Sequence, residues 1–340
     1  MKQLIFFSLT IFLLIACNNS ENQIIEQSIE QAVDSTANEQ IKAFKEINDL
    51  LKNDINNTAL YLKRARLYQK YGAVPKAIQD VDRAIGIDSL IPEFYLLKAE
   101  LLKSQDRLKE AKETLDKCMF VDNKNVQARI ELGWLALIAK DYKQALDYAD
   151  AALKRNMYAS EAYFLKGMIF IEKKDTTLAI SSFKTAVEQE NDYYDAYIQL
   201  GILHIYKEGN LSEGYFKNAL RIKPNNLEAL YNLGFYYQEN AMYEQAITTY
   251  HEILAIQEFR EPYFNLGYIH QEYLSLYEDA IGFYTKAIEI EPSYVDAYYN
   301  RGLCYEKMKS KTKAKADFQK VLKLNPTHTF AAIALERVFN

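Results

Sequence analysis

Two series of small residues run in step through this 340-residue chain. One reads Ala65, Ala99, Gly133, Gly167, Gly201, Gly234, Gly267, Gly302. The other reads Ala77, Ala111, Ala145, Ala179, Ser212, Ala246, Ala280, Ala314. Successive members lie 34 residues apart, or within one residue of that. A fixed period of this size means that one supersecondary unit is copied along the chain. A single copy cannot bury its own apolar face, so neighbours must stack. With only 11 Gly and 6 Pro, the chain has too few turn residues for an all-β fold. Length alone suggests roughly two domains, but the repeats use up the chain and imply one elongated array.

Further positions keep the period. An early aromatic slot holds Tyr61, Tyr95, Tyr163, Tyr197, Tyr263 and Tyr298, with Arg129 and Leu230 as departures. A late aromatic slot holds Phe183, Phe216, Tyr250, Tyr284 and Phe318, with shorter Val81, Leu115 and Ala149 in the first three copies. Ala84, Ala152, Ala186, Ala219 and Ala287 fill another small slot, and Pro224, Pro292 and Pro326 close three units. Over residues 58–328 this pattern resembles the tetratricopeptide repeat (TPR). The resemblance implies an all-α fold, a right-handed TPR superhelix: an α-solenoid of about eight helix-turn-helix repeats, each with a helix A and a helix B. The units are expected at 58–91, 92–125, 126–159, 160–193, 194–226, 227–259, 260–294 and 295–328. Small residues on A and B let the helices approach, and the aromatics fill the space they leave. Residues 40–57 read as an N-terminal capping helix, a half repeat. Residues 329–340 read as a C-terminal capping helix.

The N-terminus carries a different signal. Residues 1–17 read MKQLIFFSLTIFLLIAC. Lys2 precedes an apolar run from Leu4 to Ile15 that is too short to span a bilayer and suits a secretory signal. Leu14-Ile15-Ala16-Cys17 resembles the bacterial lipobox. That resemblance implies a signal peptide over 1–16, cleavage before Cys17, and acylation of Cys17, with 17–39 as a polar tether. Two or three acyl chains hold a protein stably at a membrane, where one does not. Asn18, rather than Asp, follows the cysteine, which by the same resemblance implies the outer membrane, and no acidic cluster comes right after it, which implies the periplasmic face.

No constellation of catalytic residues stands out. The four His are scattered: His204 and His270 occupy a core slot of helix A, His251 lies on a helix B, and His328 follows Pro326. Cys118 and Cys304 sit in core slots six repeats apart, which suits neither a disulfide nor a metal site. There is no zinc pattern, Gly-rich phosphate loop or nucleophile elbow; Lys207-Glu208-Gly209 reads as a turn. No cofactor and no catalytic role are expected. A net charge of −5 gives no basic footprint for nucleic acid.

Function is therefore expected on the inner face, where the resemblance places ligands along helices A. Repeats three to five offer an apolar band of Ile130, Trp134 and Leu137, then Phe164, Met168 and Ile171, then Ile198, Ile202 and Ile205. Repeats six to eight offer Tyr231, Asn232 and Phe235, then Phe264, Asn265 and Tyr268, then Tyr299 and Asn300. The Asn residues suit a peptide backbone, and the rings beside them give contact area at low ordering cost. The family's carboxylate clamp for acidic tails is not found, since Leu62, Arg66, Leu97, Gln127 and Glu131 stand at its slots. Acids recur near the start of helix A (Glu93, Glu161, Asp195, Glu228, Glu261, Asp296). Two readings of them stand: a stripe for a cationic ligand, or a favourable charge at the helix dipole. The reading that results is a non-enzymatic, lipid-anchored scaffold. It would hold a protein or peptide partner in its groove during envelope assembly, secretion or pilus-type biogenesis. The alternative is an envelope lipoprotein that binds a glycan or nutrient.

Overall fold

A computed structural model describes residues 41–206 and 211–339 of the chain. The signal segment, Cys17, the tether and the turn at Lys207-Glu208-Gly209 lie outside the described residues. The described residues form helices and turns, with no strand among them. They fall into two compact units that divide between Ala128 and Arg129.

Helix α1 covers 41–53. In the first unit it is followed by the pairs α2 (Thr58–Lys70) with α3 (Val74–Ile87) and α4 (Pro92–Ser104) with α5 (Leu108–Val121). Helices α6 (Val126–Ile138) and α7 (Tyr142–Leu153) come next. The pairs α8 (Ser160–Glu172) with α9 (Thr176–Gln189) and α10 (Tyr194–His204) with α11 (Leu211–Ile222) follow. Then come α12 (Leu227–Glu239) with α13 (Tyr243–Ile256), and α14 (Arg260–Glu272) with α15 (Tyr277–Ile290). The last pair is α16 (Val295–Lys307) with α17 (Lys311–Leu324), and α18 (Thr329–Phe339) is the last helix of the described residues. Even-numbered helices from α2 to α16 are the A helices.

Helix A stops in the same way in most repeats. Gly72, Asp106, Lys140, Lys174, Ala241, Ser275 and Lys309 each follow it with φ between 55° and 73°. A left-handed residue there turns the chain so that the next N–H reaches back to an orphan carbonyl. Arg107 N–H donates to Leu102 O (3.0 Å), Asp175 N–H to Phe170 O (2.8 Å) and Ser310 N–H to Tyr305 O (2.8 Å). Asp141 and Asp175 then cap the following helix, accepting from the N–H of Gln144 and Leu178.

Between A and B the packing is a glycine against a ring. A Cβ on Gly167 would lie 2.4 Å from Phe183, on Gly201 2.4 Å from Phe216, on Gly267 2.7 Å from Tyr284 and on Gly302 2.7 Å from Phe318. These rings are fully buried. In the third repeat the late slot is Ala149, and Leu165 of the next repeat takes the place of the ring, 2.5 Å from a Cβ on Gly133.

The first and last repeats share a further device. Arg64 donates to both carboxylate oxygens of Asp80 (2.7 and 2.6 Å) and to Asn48 Oδ1 on α1 (2.7 Å). Arg301 donates to both oxygens of Asp317 (2.8 Å each) and to Thr285 Oγ1 on the preceding helix B (3.0 Å). Both carboxylates are buried. Each arginine thus ties the A and B helices of its own repeat and reaches back one helix further.

Candidate partner-binding face

In the unit from Arg129 onward, alternate helices approach each other A to A: α10 meets α12, α14 meets α16, and α16 meets α18. The A helices therefore stand on the inner side of this stack. Along an A helix, the second, fifth, ninth and thirteenth positions share one face, and the fourth, eighth and eleventh turn toward helix B.

The structure sorts the expected groove residues into three depths. Ile130 and Ile198 are only 2% exposed and form the floor, as does Asn265 at 9%. Asn265 donates its amide to Tyr250 Oη (3.0 Å) and Tyr231 Oη (3.3 Å), so its NH2 group braces the core. The sequence expectation that these three meet a partner gives way to a structural role, because the fifth and sixth positions already tilt toward the neighbouring repeat.

The fifth-position rings are wedges. Phe164 lies between Phe183 (centroids 5.3 Å) and Tyr193 (5.1 Å), with Trp134 at 6.0 Å. Phe264 lies between Tyr284 (5.6 Å) and Tyr294 (5.2 Å), and Tyr299 between Phe318 (6.0 Å) and His328 (5.0 Å). Tyr231 meets Tyr250 at 6.2 Å. Each of the three wedges joins the late-slot ring of its own repeat to the residue that opens the next A helix. Asn232 and Asn300 donate their amides to Glu228 O (2.8 Å) and Asp296 O (2.9 Å) on their own helices.

What remains outward is the ninth position. Trp134, Met168, Phe235 and Tyr268 are half-buried and Ile202 is 38% exposed. On five successive A helices a large apolar side chain thus keeps one side in solvent.

The other polar groups singled out by sequence have local partners. His328 Nδ1 accepts from Ala331 N–H (3.1 Å) and caps α18. His270 Nδ1 lies 2.8 Å from Leu266 O. His204 is buried with its ring 5.6 Å from Tyr215, and His251 is exposed. Cys118 and Cys304 are buried free thiols. Burial pushes them up to about 11 and about 12, away from the thiolate form. No group of three His, Cys, Asp or Glu that could hold a metal ion occurs among the described residues.

Models of the tetratricopeptide repeat match residues 92–125, 122–196, 215–248 and 295–328, and a TPR repeat model matches 276–309. This chain carries tetratricopeptide repeats. Among curated proteins, a TPR repeat-containing protein of Methanocaldococcus jannaschii is 25% identical over 64% of this chain and 40% of its own length. A DnaJ homolog subfamily C member 3 of Gallus gallus is 22% identical over 91% of this chain and 61% of its own length. The chain thus spans less than two thirds of the length of both relatives. The C-terminal part of a TPR repeat-containing protein from Cytophaga hutchinsonii superposes with a TM-score of 0.60 at 21% identity, covering 71% of this chain and 99% of that one. That likeness establishes the all-helical TPR fold.

Within the TPR frame, one set of site residues escaped the sequence reading. Where the late slot is Tyr, the twelfth position of helix A is Gln: Tyr284 Oη donates to Gln271 Oε1 (2.9 Å) and Tyr250 Oη to Gln238 Oε1 (3.3 Å). Where it is Phe183 or Phe216, the twelfth position is Ile171 or Ile205. Cys304 Sγ also donates to Gln271 Oε1 (3.3 Å). In these four repeats Tyr goes with Gln and Phe with Ile, a matched substitution visible in the aligned sequence; the last repeat, with Phe318 and Glu306, departs from it.

Proposed function

We propose that this protein is a lipid-anchored TPR scaffold that holds a segment of a protein partner along the inner face of helices α6–α14. The observation that carries the reading is the row of Trp134, Met168, Ile202, Phe235 and Tyr268. Apolar side chains at five consecutive copies of one position, each partly in solvent, supply the anchors from which interface cores are built. The repeats supply a surface along which a partner segment can lie, so the role is to bind. Cys17, at the end of its lipobox-like run, would carry the acyl chains that place this surface at the bacterial envelope, at the outer membrane facing the periplasm. Envelope assembly, secretion or pilus-type biogenesis are the processes such a tethered scaffold would serve.

The test is photo-crosslinking in intact cells, with the probe at Met168 or Phe235 and a control probe at Lys184 on the opposite helix. One dominant protein adduct from the inner positions, absent from the control, is expected. The same adducts from both faces, or none from the inner one, overturn the binding role. Fatty-acid labelling that is equal in wild type and Cys17→Ser overturns the anchor.

A further inference from the structure

Helix α1 stands in the place of a helix B, because Ala43, Ile47 and Leu50 precede Ala77, Val81 and Ala84 by 34 residues. Ile47 and Leu51 are buried in the cluster that holds Tyr61 and Ala65 of α2. The rest of that face is open. At the place of Leu50, every later helix B carries a residue with 0% exposure, from Ala84 to Val321, whereas Leu50 is 51% exposed. Ala43 is half-buried, although its counterparts from Ala77 to Ala314 are completely buried. The counterparts are covered by helix A of their own repeat, as α2 covers α3 and α4 covers α5. No such helix precedes α1 among the described residues. Beside the open face lies a hollow of about 270 Å³, lined by Ala43, Glu46 and Ile47 of α1 and by Lys63, Arg66 and Lys70 of α2. Glu46 is the one acid among these six; Arg66 also reaches Glu93 (3.1 Å) in an exposed pair.

The chain just before α1, which lies outside the described residues, has the composition to fill this place. Residues 18–40 hold Glu21, Glu26, Glu30, Asp34 and Glu39 and no Lys or Arg. Ile25, Ile29 and Val33 recur at every fourth residue, the spacing of one helix face. Ala32 stands 11 residues before Ala43, the interval that separates Gly201 from Ser212 on the two helices of repeat five. Glu26 stands six residues before Ala32, as Glu161 does before Gly167 and Glu261 before Gly267. A second copy of the chain is a poorer match. Its α18 stands in the place of a helix A, but exposed Glu336, 34 residues after Gly302, occupies the small-residue place where the helices must come closest.

We infer that residues 25–37 of this same chain cover the open face of α1, with Ala32 against Ala43, Ile25 at the Leu50 end, and the segment's acids toward Lys63 and Lys70. Opposite charge on the two sides favours this occupant. Because the segment is tied to α1 by only a few residues, the contact is intramolecular and a modest attraction holds it. The consequence for the anchor rests on the acylation of Cys17 proposed above; the coverage of α1 does not. With 25–37 docked, the free tether is residues 18–24, which at ~3.5 Å per residue reach about 25 Å, where residues 18–40 would reach about 80 Å. The first repeat is then held close to the bilayer.

The test is the rate at which a thiol reagent modifies Leu50→Cys in the full chain, purified in detergent and read by mass spectrometry of the peptide that holds it. The second repeat already carries a cysteine, Cys118, at this place. The control is Lys52→Cys, at a place where Gly86 and Phe120 are exposed. Leu50→Cys should react at least about ten-fold more slowly than Lys52→Cys. Adding Ile29→Asp and Val33→Asp should bring the two rates together. Adding Glu30→Lys and Asp34→Lys instead should speed Leu50→Cys most at low salt. If Leu50→Cys reacts as fast as Lys52→Cys in the otherwise unchanged chain, the face is open and the inference falls. It falls too if protection fades on dilution, because a second copy is then the cover, or if protection survives Ile29→Asp with Val33→Asp. None of these results touches the anchor, which fatty-acid labelling of Cys17 tests separately.

Discussion

Replacing one glycine by alanine should stabilise this protein at one position and destabilise it at another. Gly282 lies exposed on α15, and a Cβ there would have nothing within 4 Å. Alanine is the better helix former by about 1 kcal/mol, so Gly282→Ala should raise stability by about that amount. Gly201 lies on α10, and its added Cβ would stand 2.4 Å from the ring of Phe216, which is fully buried. Ordinary carbon contacts lie near ~3.5–4.0 Å, so ring or helix must move by roughly 1 Å. Overpacking of this kind costs about 1–3 kcal/mol. Set against the propensity gain, Gly201→Ala should fall about 2–3 kcal/mol below Gly282→Ala, taking the upper part of that range because the ring has no open side. Urea unfolding followed by far-UV circular dichroism measures both, provided that the slope is unchanged, because an array of repeats can melt in segments. In Gly201→Ala with Phe216→Leu, the smaller side chain relieves the clash, and the pair should be less damaging than the sum of the singles by about 1–2 kcal/mol. Midpoints that move the same way by the same amount for Gly201→Ala and Gly282→Ala would refute the ring-in-slot account.

Three other perturbations test different features. Tyr284→Phe removes the donor to Gln271 Oε1 and should cost about 1–2 kcal/mol in thermal or urea unfolding. Tyr284→Phe with Gln271→Leu should recover part of that loss, and no recovery means that the hydrogen bond is not the cause. Lys174→Gly and Lys309→Gly place the residue suited to φ near 60° after helix A, and each should stabilise by up to about 1 kcal/mol. A loss in both would show that the left-handed turn is not strained. In a Cys17→Ser background, Cys118 and Cys304 should react with a thiol reagent at pH 8 only as fast as the chain opens, because both thiols are buried and their pKa values are raised to about 11 and about 12. Fast reaction of the folded protein would sink that reading.

How far the sequence could be read follows from what each signal depends on. The two small-residue series and the late aromatics were plain because they answer each other within a single repeat: Gly167 with Phe183, Gly302 with Phe318. Such pairs are sixteen residues apart and recur, so period alone exposes them. Depth on the inner face depends instead on the next repeat. Phe164 reads as a free groove residue until Tyr193, which opens the following helix, is seen against it. Asn265 reads as a peptide-binding amide until Tyr231 and Tyr250 are seen to claim it. The ninth position survives because its side chain, though packed on one side, is still partly in solvent.

The buried arginine pairs set a rule for how such a chain can lengthen. In the interior repeats the position of Arg64 and Arg301 is held by Lys98, Leu132, Lys166, Leu200, Leu233 and Leu266. A Leu there makes no demand on a distant partner, so duplicating a unit that carries one strands no charge, whereas Lys98 and Lys166 reach back to Asp82 and Asp150 on the helix before. Copying the first or last repeat inward is different: its arginine would need a hydroxyl or amide waiting on the helix before it, as Asn48 waits for Arg64 and Thr285 for Arg301. The array is therefore free to grow from its middle, while its two ends are marked and stay ends.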